Sequence, residues 1–216
     1  NLLNNIFSVF NMSWQESASI HINDEGKEKF FSKMINQILN LFIGISLLIL
    51  VTIPVFFDKL IGSEYIEAFN YIPILLFANL FNILTQLIGA IYIAKKLTRK
   101  VMNTTIFSAI LNLLINLIFV KWWGLYAASF STLIAYLTIA IYRCIDVQKY
   151  VKIKFELKKI ILNIIIYSIS TSLYYFNFRF LNYINLVVII IYIIITNKEN
   201  EFLKIFMDKI KNKIQK

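Results

Sequence analysis

Six stretches of this chain contain no charged residue, and each is close to the length that a membrane-crossing helix needs. An α-helix rises about 1.5 Å per residue, so roughly 20 residues cross the ~30 Å of hydrocarbon in a bilayer. The stretches are Met34 to Phe57, Ala68 to Ala94, Val101 to Val120, Trp122 to Tyr142, Ile160 to Phe178 and Phe180 to Asn197. A seventh segment, Asn1 to Gln15, is typical of part of another span. The sequence therefore predicts an all-α, polytopic helix bundle with about seven crossings.

Composition excludes the main alternative, a soluble globular protein. Apolar residues make up 59% of the 216 residues, and mean hydropathy is +0.70, which leaves too little polar surface for a soluble domain. The net charge of +10 would suggest nucleic acid if the bases formed one patch. They stand between or beyond the spans instead, so we expect no nucleic-acid partner and expect membrane lipid as the surrounding partner.

The positions of the bases predict an orientation. Lys and Arg in short loops are retained on the cytoplasmic side. Counted over alternate connections, 19 of the 22 bases fall on one side, and only Lys59, Lys121 and Arg179 fall on the other. This assignment makes the C-terminus cytoplasmic and predicts seven passes. Tyr and Trp residues at the opposite ends of the spans favour the same arrangement, because their amphipathic rings prefer the interface.

The chain divides into four segments on this interpretation. Residues 1–142 hold the first membrane helices, 143–159 a basic cytoplasmic linker, 160–197 two further spans and 198–216 a basic amphipathic helix on the inner leaflet. A solvated tail is the alternative for the last segment. Tyr150 to Leu157 alternates like a strand, but a linker along the headgroups is favoured because a lone strand has no partner. The chain opens inside an apolar run without Met, and we expect it to be part of a longer polypeptide.

Polar residues inside the spans recur at helical spacing. In one span Thr104, Ser108, Asn112 and Asn116 follow every fourth residue, and in the span before it Asn79, Asn82, Gln86 and Gly89 share a face. Ser129, Thr132 and Tyr136 repeat the pattern. Buried amides without partners cost several kcal/mol in hydrocarbon, so these faces must look inward. Two interpretations stay open: adhesion between helices, or the wall of a substrate pathway.

Glu16 is the only acid within an apolar setting, since it follows Asn1 to Gln15 and precedes Ser17 to Ile22, and acids at membrane depth often mark ion or substrate pathways. Its alternative is an interfacial position beside Trp14 or a pairing with a base such as Lys27. Soluble-enzyme motifs are absent from the sequence: there is no Gly-rich phosphate loop, one Cys and one His. We therefore expect no cofactor, no metal site and no enzymatic activity of its own.

Three segments resemble the C-terminal half of the polysaccharide-biosynthesis flippases, the Wzx-type O-antigen transporters related to the MATE exporters. They are SWQESA from Ser13 with FFSK from Phe30, IGSEYIEAF from Ile61, and NLLINLIFVKWWGLYAAS from Asn112. The sequence departs from the last pattern, since Lys121 stands where Pro is usual and Ala127 where a second Gly is usual. The resemblance covers most of residues 1–142, while the final two spans match in hydropathy alone.

The resemblance implies a MATE-like second lobe and transport of an undecaprenyl-diphosphate-linked oligosaccharide from the inner to the outer leaflet by alternating access. On this view the glycan contacts the amide and hydroxyl faces. The diphosphate needs positive charge, and because no Lys or Arg lies within the six stretches, that role falls to the N-terminal lobe or to rim residues Lys95, Lys96 and Arg99. A polysaccharide polymerase is a further possible partner.

Two other functions remain open from the sequence. A polytopic membrane glycosyl transferase or polymerase would need acids or Arg in a sizeable outer loop, and the outer loops here are short. A MATE-type drug exporter would need acids within its lobe to bind cationic substrates, and only Glu16 is available.

Overall fold

The computed structural model describes residues 2–60 and 63–197 of the chain. The amphipathic helix predicted for residues 198–216 lies outside the described residues, as do the first two residues of the segment that starts at Ile61. Within the described ranges there is no β-strand, and the prediction of an all-α bundle is confirmed.

Seven α-helices account for most of the described chain. They are α1 Leu2–His21, α2 Lys27–Leu60, α3 Ile72–Ala94, α4 Thr98–Trp123, α5 Leu125–Asp146, α6 Leu157–Phe176 and α7 Arg179–Asn197, with 3-10 turns at Ser63–Asn70 and Val147–Lys149. Helices α2 to α7 are long and apolar enough to cross a membrane. The chain therefore has the architecture of a multi-pass membrane protein. Helix α1, with 20 residues, is long enough but less apolar, and its crossing stays a prediction.

The helices fall into two compact units. The first contains α1, the start of α2, and α3, α4 and α5, and the second contains the middle of α2 with α6 and α7. The sequence division had placed α2 with the first group of helices. Polar contacts explain the observed grouping, because Asn40 of α2 accepts a hydrogen bond from Asn163 of α6 and donates to Asn197 of α7.

In the first unit, polar side chains fix the relative direction of the helices. Asn4 bonds to Asn79 and Asn11 to Gln86, so α1 and α3 run parallel. The indole of Trp14, which is 1% exposed, continues the series with a 3.0 Å hydrogen bond to the Leu87 carbonyl. These contacts place the amide-bearing faces of α1 and α3 against each other.

Helix α4 runs antiparallel to α5. Ser108 donates to the Ala135 carbonyl, and one turn further along α4, Asn112 accepts a hydrogen bond from Ser131. The connection between the two helices is a reversal at Gly124, whose φ of 52° lies in the region that favours glycine. The expectation that Gly124 supplies the backbone freedom of this turn is confirmed.

In the second unit, α6 and α7 run antiparallel and join through buried polar groups. Tyr192 donates to Asn163, and Ser170 donates to Asn185 further along the pair. Gly44 of α2 lies close to Ile193, where a Cβ would stand 3.4 Å from the isoleucine side chain. Small and amide-bearing residues at these positions allow close helix packing within a membrane.

The linker between α5 and α6 is extended without being a strand. The Gln148 side chain accepts from the Ile153 amide and donates to its carbonyl, and the Lys154 amide donates to the Ser32 hydroxyl. Val151 and Ile153 are buried, which accounts for the alternating pattern. The linker predicted for residues 143–159 overlaps the end of α5 and the start of α6. Its place along the headgroups stays a prediction.

Candidate functional site

A cavity of about 410 Å³ lies within the first unit, among α1, α3, α4 and α5. Its walls carry amide, hydroxyl and guanidinium groups beside apolar side chains. The polar residues that line it are Asn11, Gln15, Asn82, Thr85, Gln86, Thr105, Ser108, Asn112, Tyr136 and Arg143. Because the surrounding helices have membrane-spanning length, this is a polar space within an apolar bundle.

Four of the residues predicted for a substrate pathway line the cavity: Asn82, Gln86, Ser108 and Asn112. Each also makes contact with a neighbouring helix. Asn82 donates to Asn4 at 3.4 Å, Gln86 accepts from Asn11 at 3.2 Å, and Ser108 and Asn112 bond to α5. Adhesion and cavity lining are therefore combined in the same side chains, so the two interpretations left open by the sequence do not exclude each other.

The other predicted pathway residues lie elsewhere. Asn79 is buried and accepts from Asn4, and Thr104 lies on the opposite side of the α4–α5 contact, in a second depression. Asn116 has a buried Oδ1 without a hydrogen-bond partner among the described residues. Glu16 is exposed on α1 and is not among the cavity residues, although its neighbour Gln15 is. One residue of helical rotation separates their side chains by about 100°.

The predicted rim bases are also away from the cavity lining. Lys95 ends α3, Lys96 adopts a φ of 61° in the turn to α4, and Arg99 is exposed in the first turn of α4. Lys100, the next residue, turns toward α5 and pairs with Asp146. The structure thus brings none of the three predicted bases to the cavity wall.

The base that does line the cavity is Arg143, which sequence reasoning had assigned to the linker. It lies on α5 and is 3% exposed. Its Nη1 donates to the Thr85 carbonyl at 2.8 Å, and its Nη2 donates to the Val101 carbonyl at 3.1 Å. The Thr104 hydroxyl accepts from Nε at 3.1 Å and from Nη2 at 2.7 Å. A further bond joins Nη2 to Thr105 at 3.1 Å.

These partners are all neutral. Among the described residues no carboxylate lies within ion-pair distance of the Arg143 guanidinium, and Nη1 has one acceptor for its two N–H groups. A buried guanidinium that has only neutral partners keeps a positive potential in its surroundings, because neutral acceptors reduce the desolvation cost without cancelling the charge.

Arg143, which the sequence analysis assigned to the linker, therefore lies within helix α5. Helix α5 continues to Asp146 rather than ending at Tyr142, and this extension draws the guanidinium into the bundle. A signal was present in the sequence, since Arg143 follows Tyr136 by seven residues and so lies two turns further along the same face. That face also carries Ser129 and Thr132.

Gly89 makes room for this guanidinium. A Cβ built on Gly89 would stand 3.2 Å from Arg143 Nη1, closer than most real Cβ contacts. Gly89 is thus the position on α3 where the arginine head group approaches the backbone. The sequence pattern placed Gly89 on the polar face of α3. The structure shows why a residue without a Cβ suits this position, since a Cβ would crowd the guanidinium.

A charged cluster follows Arg143 on α5. The buried Asp146 accepts from Lys100 at 2.6 Å, from Tyr92 at 3.0 Å and from Lys149 at 3.1 Å. These bonds tie α3, α4 and α5 together at the end of the bundle where Lys96 lies. Asp146 accepts hydrogen bonds from these three donors and forms no ion pair with Arg143.

Asn11, Gln15 and Tyr136 complete the polar wall. Sequence reasoning named Tyr136 on its face of α5, but it did not single out the two residues of α1. The Oδ1 of Asn11 is buried without a hydrogen-bond partner among the described residues. Within the described part of the chain, no group of three or more His, Cys, Asp or Glu side chains could hold a metal ion.

Comparison with protein-family models, curated proteins and solved structures finds no match to this chain.

Proposed function

We propose that this protein is a membrane transporter that moves a diphosphate-linked, polyprenyl-anchored oligosaccharide across the bilayer, as the resemblance to Wzx-type flippases implies. The architecture supports the proposal because a cavity with polar groups in its wall lies beside α3, α4 and α5, which are long and apolar enough to cross a membrane. Such a cavity suits a cargo that needs hydrogen bonds and cannot cross hydrocarbon unaided.

The single observation that carries the proposal is the Arg143 guanidinium. It lines the cavity, is almost fully buried and has neutral partners only, with one Nη1 N–H unmatched among the described residues. Arginine binds phosphate through several N–H groups in a planar arrangement, which makes it suited to a diphosphate. Positive charge, which was expected from the N-terminal lobe or from Lys95, Lys96 and Arg99, is thus also available in the cavity wall at Arg143.

The remaining wall suits a glycan. Amide groups on α1 and α3, and hydroxyl groups on α3, α4 and α5, provide donors and acceptors. A volume of about 410 Å³ is near the lower end of the ~300–1,000 Å³ range of small-ligand sites. The cavity therefore takes the diphosphate with the adjoining sugar, and the rest of the glycan extends beyond it.

The same features disfavour the two alternatives. A drug exporter for cationic substrates would need an acid at the site, whereas the described lining holds a guanidinium and no carboxylate. A glycosyl transferase needs groups that carry out covalent chemistry, whereas moving an intact lipid-linked glycan needs none. We propose that the chain acts as a transporter and not as an enzyme.

The distribution of the basic residues supports one orientation of the chain in the membrane. The proposed location is the bacterial cytoplasmic membrane with a cytoplasmic C-terminus, on the basis of the 19 bases that share one side. Lys96, Lys100 and the Asp146 cluster then lie at the cytoplasmic end, and Arg143 lies one turn inside them. In this orientation Arg143 meets the diphosphate as it leaves the inner leaflet. Membrane lipid, an N-terminal transporter lobe of the same polypeptide and a polysaccharide polymerase are proposed partners.

The test uses bacterial cells that lack their own oligosaccharide flippase and express the full-length protein. Expression should restore surface polysaccharide and clear the accumulated lipid-linked repeat units. Arg143→Gln should reduce export about tenfold or more, since hydrogen bonds to charged groups contribute ~1.5–3 kcal/mol. Arg99→Gln is the matched control, because Arg99 is exposed in the first turn of α4 and should tolerate the change.

Absence of export with the unaltered protein, tested with donors of several glycans, would reject the flippase proposal. Equal export by the Arg143→Gln and Arg99→Gln variants at equal membrane levels would mean that Arg143 does not bind the substrate.

A further inference from the structure

Three residues at helical spacing form the α5 side of the polar cavity. Tyr136, Ile139 and Arg143 all line it, and they follow one another by three and four residues, so they share one face of the helix. Tyr136 lies seven residues before Arg143, which separates the two positions by roughly 10.5 Å along the helix axis. This side of the cavity therefore carries a phenol and a guanidinium with one aliphatic residue between them.

Tyr136 differs from the other hydroxyl-bearing residues of the cavity wall. The hydroxyls of Thr85, Thr105 and Ser108 each donate a hydrogen bond to a main-chain carbonyl. No hydrogen bond joins the Tyr136 side chain to any of the described residues. Within the described wall, the Tyr136 hydroxyl is thus the one that the protein itself does not engage.

Other tyrosines of the spans show the usual arrangement. Tyr92 donates to the Asp146 carboxylate at 3.0 Å. Tyr192 donates to the side chain of Asn163. Such partners are the rule for a tyrosine in an apolar bundle, because a hydroxyl left unmatched there costs free energy. Tyr136 is partly buried and lines the cavity, so its hydroxyl is available to a molecule bound in that space.

We propose that the Tyr136 hydroxyl forms a hydrogen bond with the sugar that is joined directly to the diphosphate of the substrate. The inference rests on the proposed function, in which the diphosphate binds Arg143. It adds a specificity-determining residue, since Tyr136 then reads the first sugar of the glycan. Both groups line one cavity and lie on one face of one helix, so a single ligand can reach both.

The separation from Arg143 assigns Tyr136 to the sugar and not to the diphosphate. Two helical turns lie between the two residues, and the sugar is the part of the substrate that follows the diphosphate in the direction of the glycan. A neutral hydroxyl also suits a sugar, because it can both donate to and accept from sugar hydroxyls. The guanidinium carries donors only and suits the phosphate oxygens.

This division of roles explains how the site can be selective. The diphosphate is common to all glycans carried on this type of lipid, so Arg143 binds each of them alike. A sugar whose hydroxyl lies within reach of Tyr136 gains a hydrogen bond that another sugar, or the lipid without a sugar, does not gain. Discrimination between substrates comes from such differences in matched polar groups.

The experiment measures binding by the full-length protein in mixed micelles. Radiolabelled undecaprenyl diphosphate is displaced by unlabelled undecaprenyl diphosphate, or by the same lipid carrying glucose, galactose or N-acetylglucosamine. The variant is Tyr136→Phe, which removes one oxygen atom and keeps the ring, a change that packed interiors tolerate. The matched control is Tyr142→Phe, because Tyr142 lies on the same helix, is 51% exposed and does not line the cavity.

The unaltered protein should bind at least one of the three sugar-bearing lipids about fivefold more tightly than undecaprenyl diphosphate, as a neutral hydrogen bond of ~1 kcal/mol gives. Tyr136→Phe should abolish this preference and bind undecaprenyl diphosphate as before, which also shows that the variant is folded. Tyr142→Phe should keep both affinities.

Equal affinity of the unaltered protein for all four lipids would overturn the inference, whatever the variants do, and would leave diphosphate binding standing. A preference that persists in Tyr136→Phe would also overturn it. An equal loss of both affinities in Tyr136→Phe, at an unchanged thermal midpoint, would assign the hydroxyl to the diphosphate and reject the sugar contact. Failure of the unaltered protein to bind any of the lipids would overturn the inference together with the proposed function.

Discussion

Arg143 of α5 donates a 2.8 Å hydrogen bond from Nη1 to the main-chain carbonyl of Thr85 in α3. The same guanidinium bonds to Val101 and Thr104 of α4, so one side chain joins three helices. Under the proposed function, a diphosphate at Arg143 competes for N–H groups that hold these helices together. Substrate binding and helix packing are then linked through the same atoms, which is what alternating access requires of a binding residue.

Gly89→Ala should reduce transport without unfolding the protein. The added Cβ would stand 3.2 Å from Arg143 Nη1, so the guanidinium must shift by a few tenths of an ångström, which should weaken its bond to the Thr85 carbonyl. Alanine also raises helix propensity by roughly 1 kcal/mol, which offsets part of the steric cost. We expect an unchanged thermal midpoint and export reduced about tenfold, from the ~1.5–3 kcal/mol of a charged hydrogen bond.

Gly44→Ala is the matched control, because its Cβ would meet Ile193 at 3.4 Å, an ordinary van der Waals contact. This variant should export normally. If both glycine variants exported at the unaltered rate, Gly89 would have no positioning role.

Asn112→Leu and Asn116→Leu should have different effects on the free energy of unfolding, although the two residues lie one turn apart on α4. Asn112 accepts from Ser131 at 2.7 Å and lines the cavity, whereas Asn116 Oδ1 is buried without a partner among the described residues. Interhelical hydrogen bonds in membranes contribute ~0.6 kcal/mol on average and up to ~1.7. Asn112→Leu should lose about that much stability, and Asn116→Leu should be neutral or stabilising.

Stability of both variants is measured by reversible unfolding in mixed micelles, and export is measured in the flippase-deficient cells. Reduced export by Asn112→Leu at normal protein levels would indicate contact with the glycan. Normal export by a destabilised Asn112→Leu variant would assign this residue to helix adhesion alone.

Much of the architecture could be predicted from the sequence, because a bilayer restricts the length and the surface polarity of any helix that crosses it. The charge-free stretches between Met34 and Asn197 correspond to helices α2 to α7, and the polar faces on α3 and α4 turn inward at Asn82 and Ser108. These features depend on local periodicity and on the cost of exposing amides to hydrocarbon, both of which a single chain reveals.

The position of Arg143 was not readable from hydropathy, because a base next to a span is usually a loop residue. Its burial depends on acceptors from two other helices, Thr85 and Thr104, and on the space at Gly89. Such long-range complementarity has no local signature beyond the shared face with Tyr136. The grouping of α2 with α6 and α7 likewise depends on tertiary contacts between amides, such as Asn40 with Asn163.

Asp146→Asn should destabilise the end of the bundle. Asp146 is 4% exposed and accepts from Tyr92 and from Lys100, whose side chain is 33% exposed. Breaking a buried ion pair costs ~3–5 kcal/mol, and partial solvation of Lys100 reduces this to ~1–3 kcal/mol. Lys149 adds little, because its side chain is 71% exposed. The measurement is thermal unfolding followed by circular dichroism in detergent.

Glu156→Gln is the control for this change, since Glu156 pairs with Lys159 and both side chains are about half exposed or more. Exposed pairs contribute 0–1 kcal/mol, so this variant should unfold at nearly the original temperature. Equal shifts of the unfolding temperature in the two variants would mean that the Asp146 cluster stabilises the fold no more than an exposed ion pair does.

The two ends of α4 should be accessible from opposite sides of the membrane. Lys96 precedes this helix and Lys121 lies near its end, and at ~1.5 Å per residue the 26 residues of α4 are long enough to cross. In a Cys144→Ala background, which removes the one cysteine of these 216 residues, Lys121→Cys should react with a membrane-impermeant maleimide in intact cells. Lys96→Cys should react only after permeabilisation. The reverse pattern would place Arg143 near the outer leaflet, and the diphosphate would then meet it at the end of transport instead of at the start.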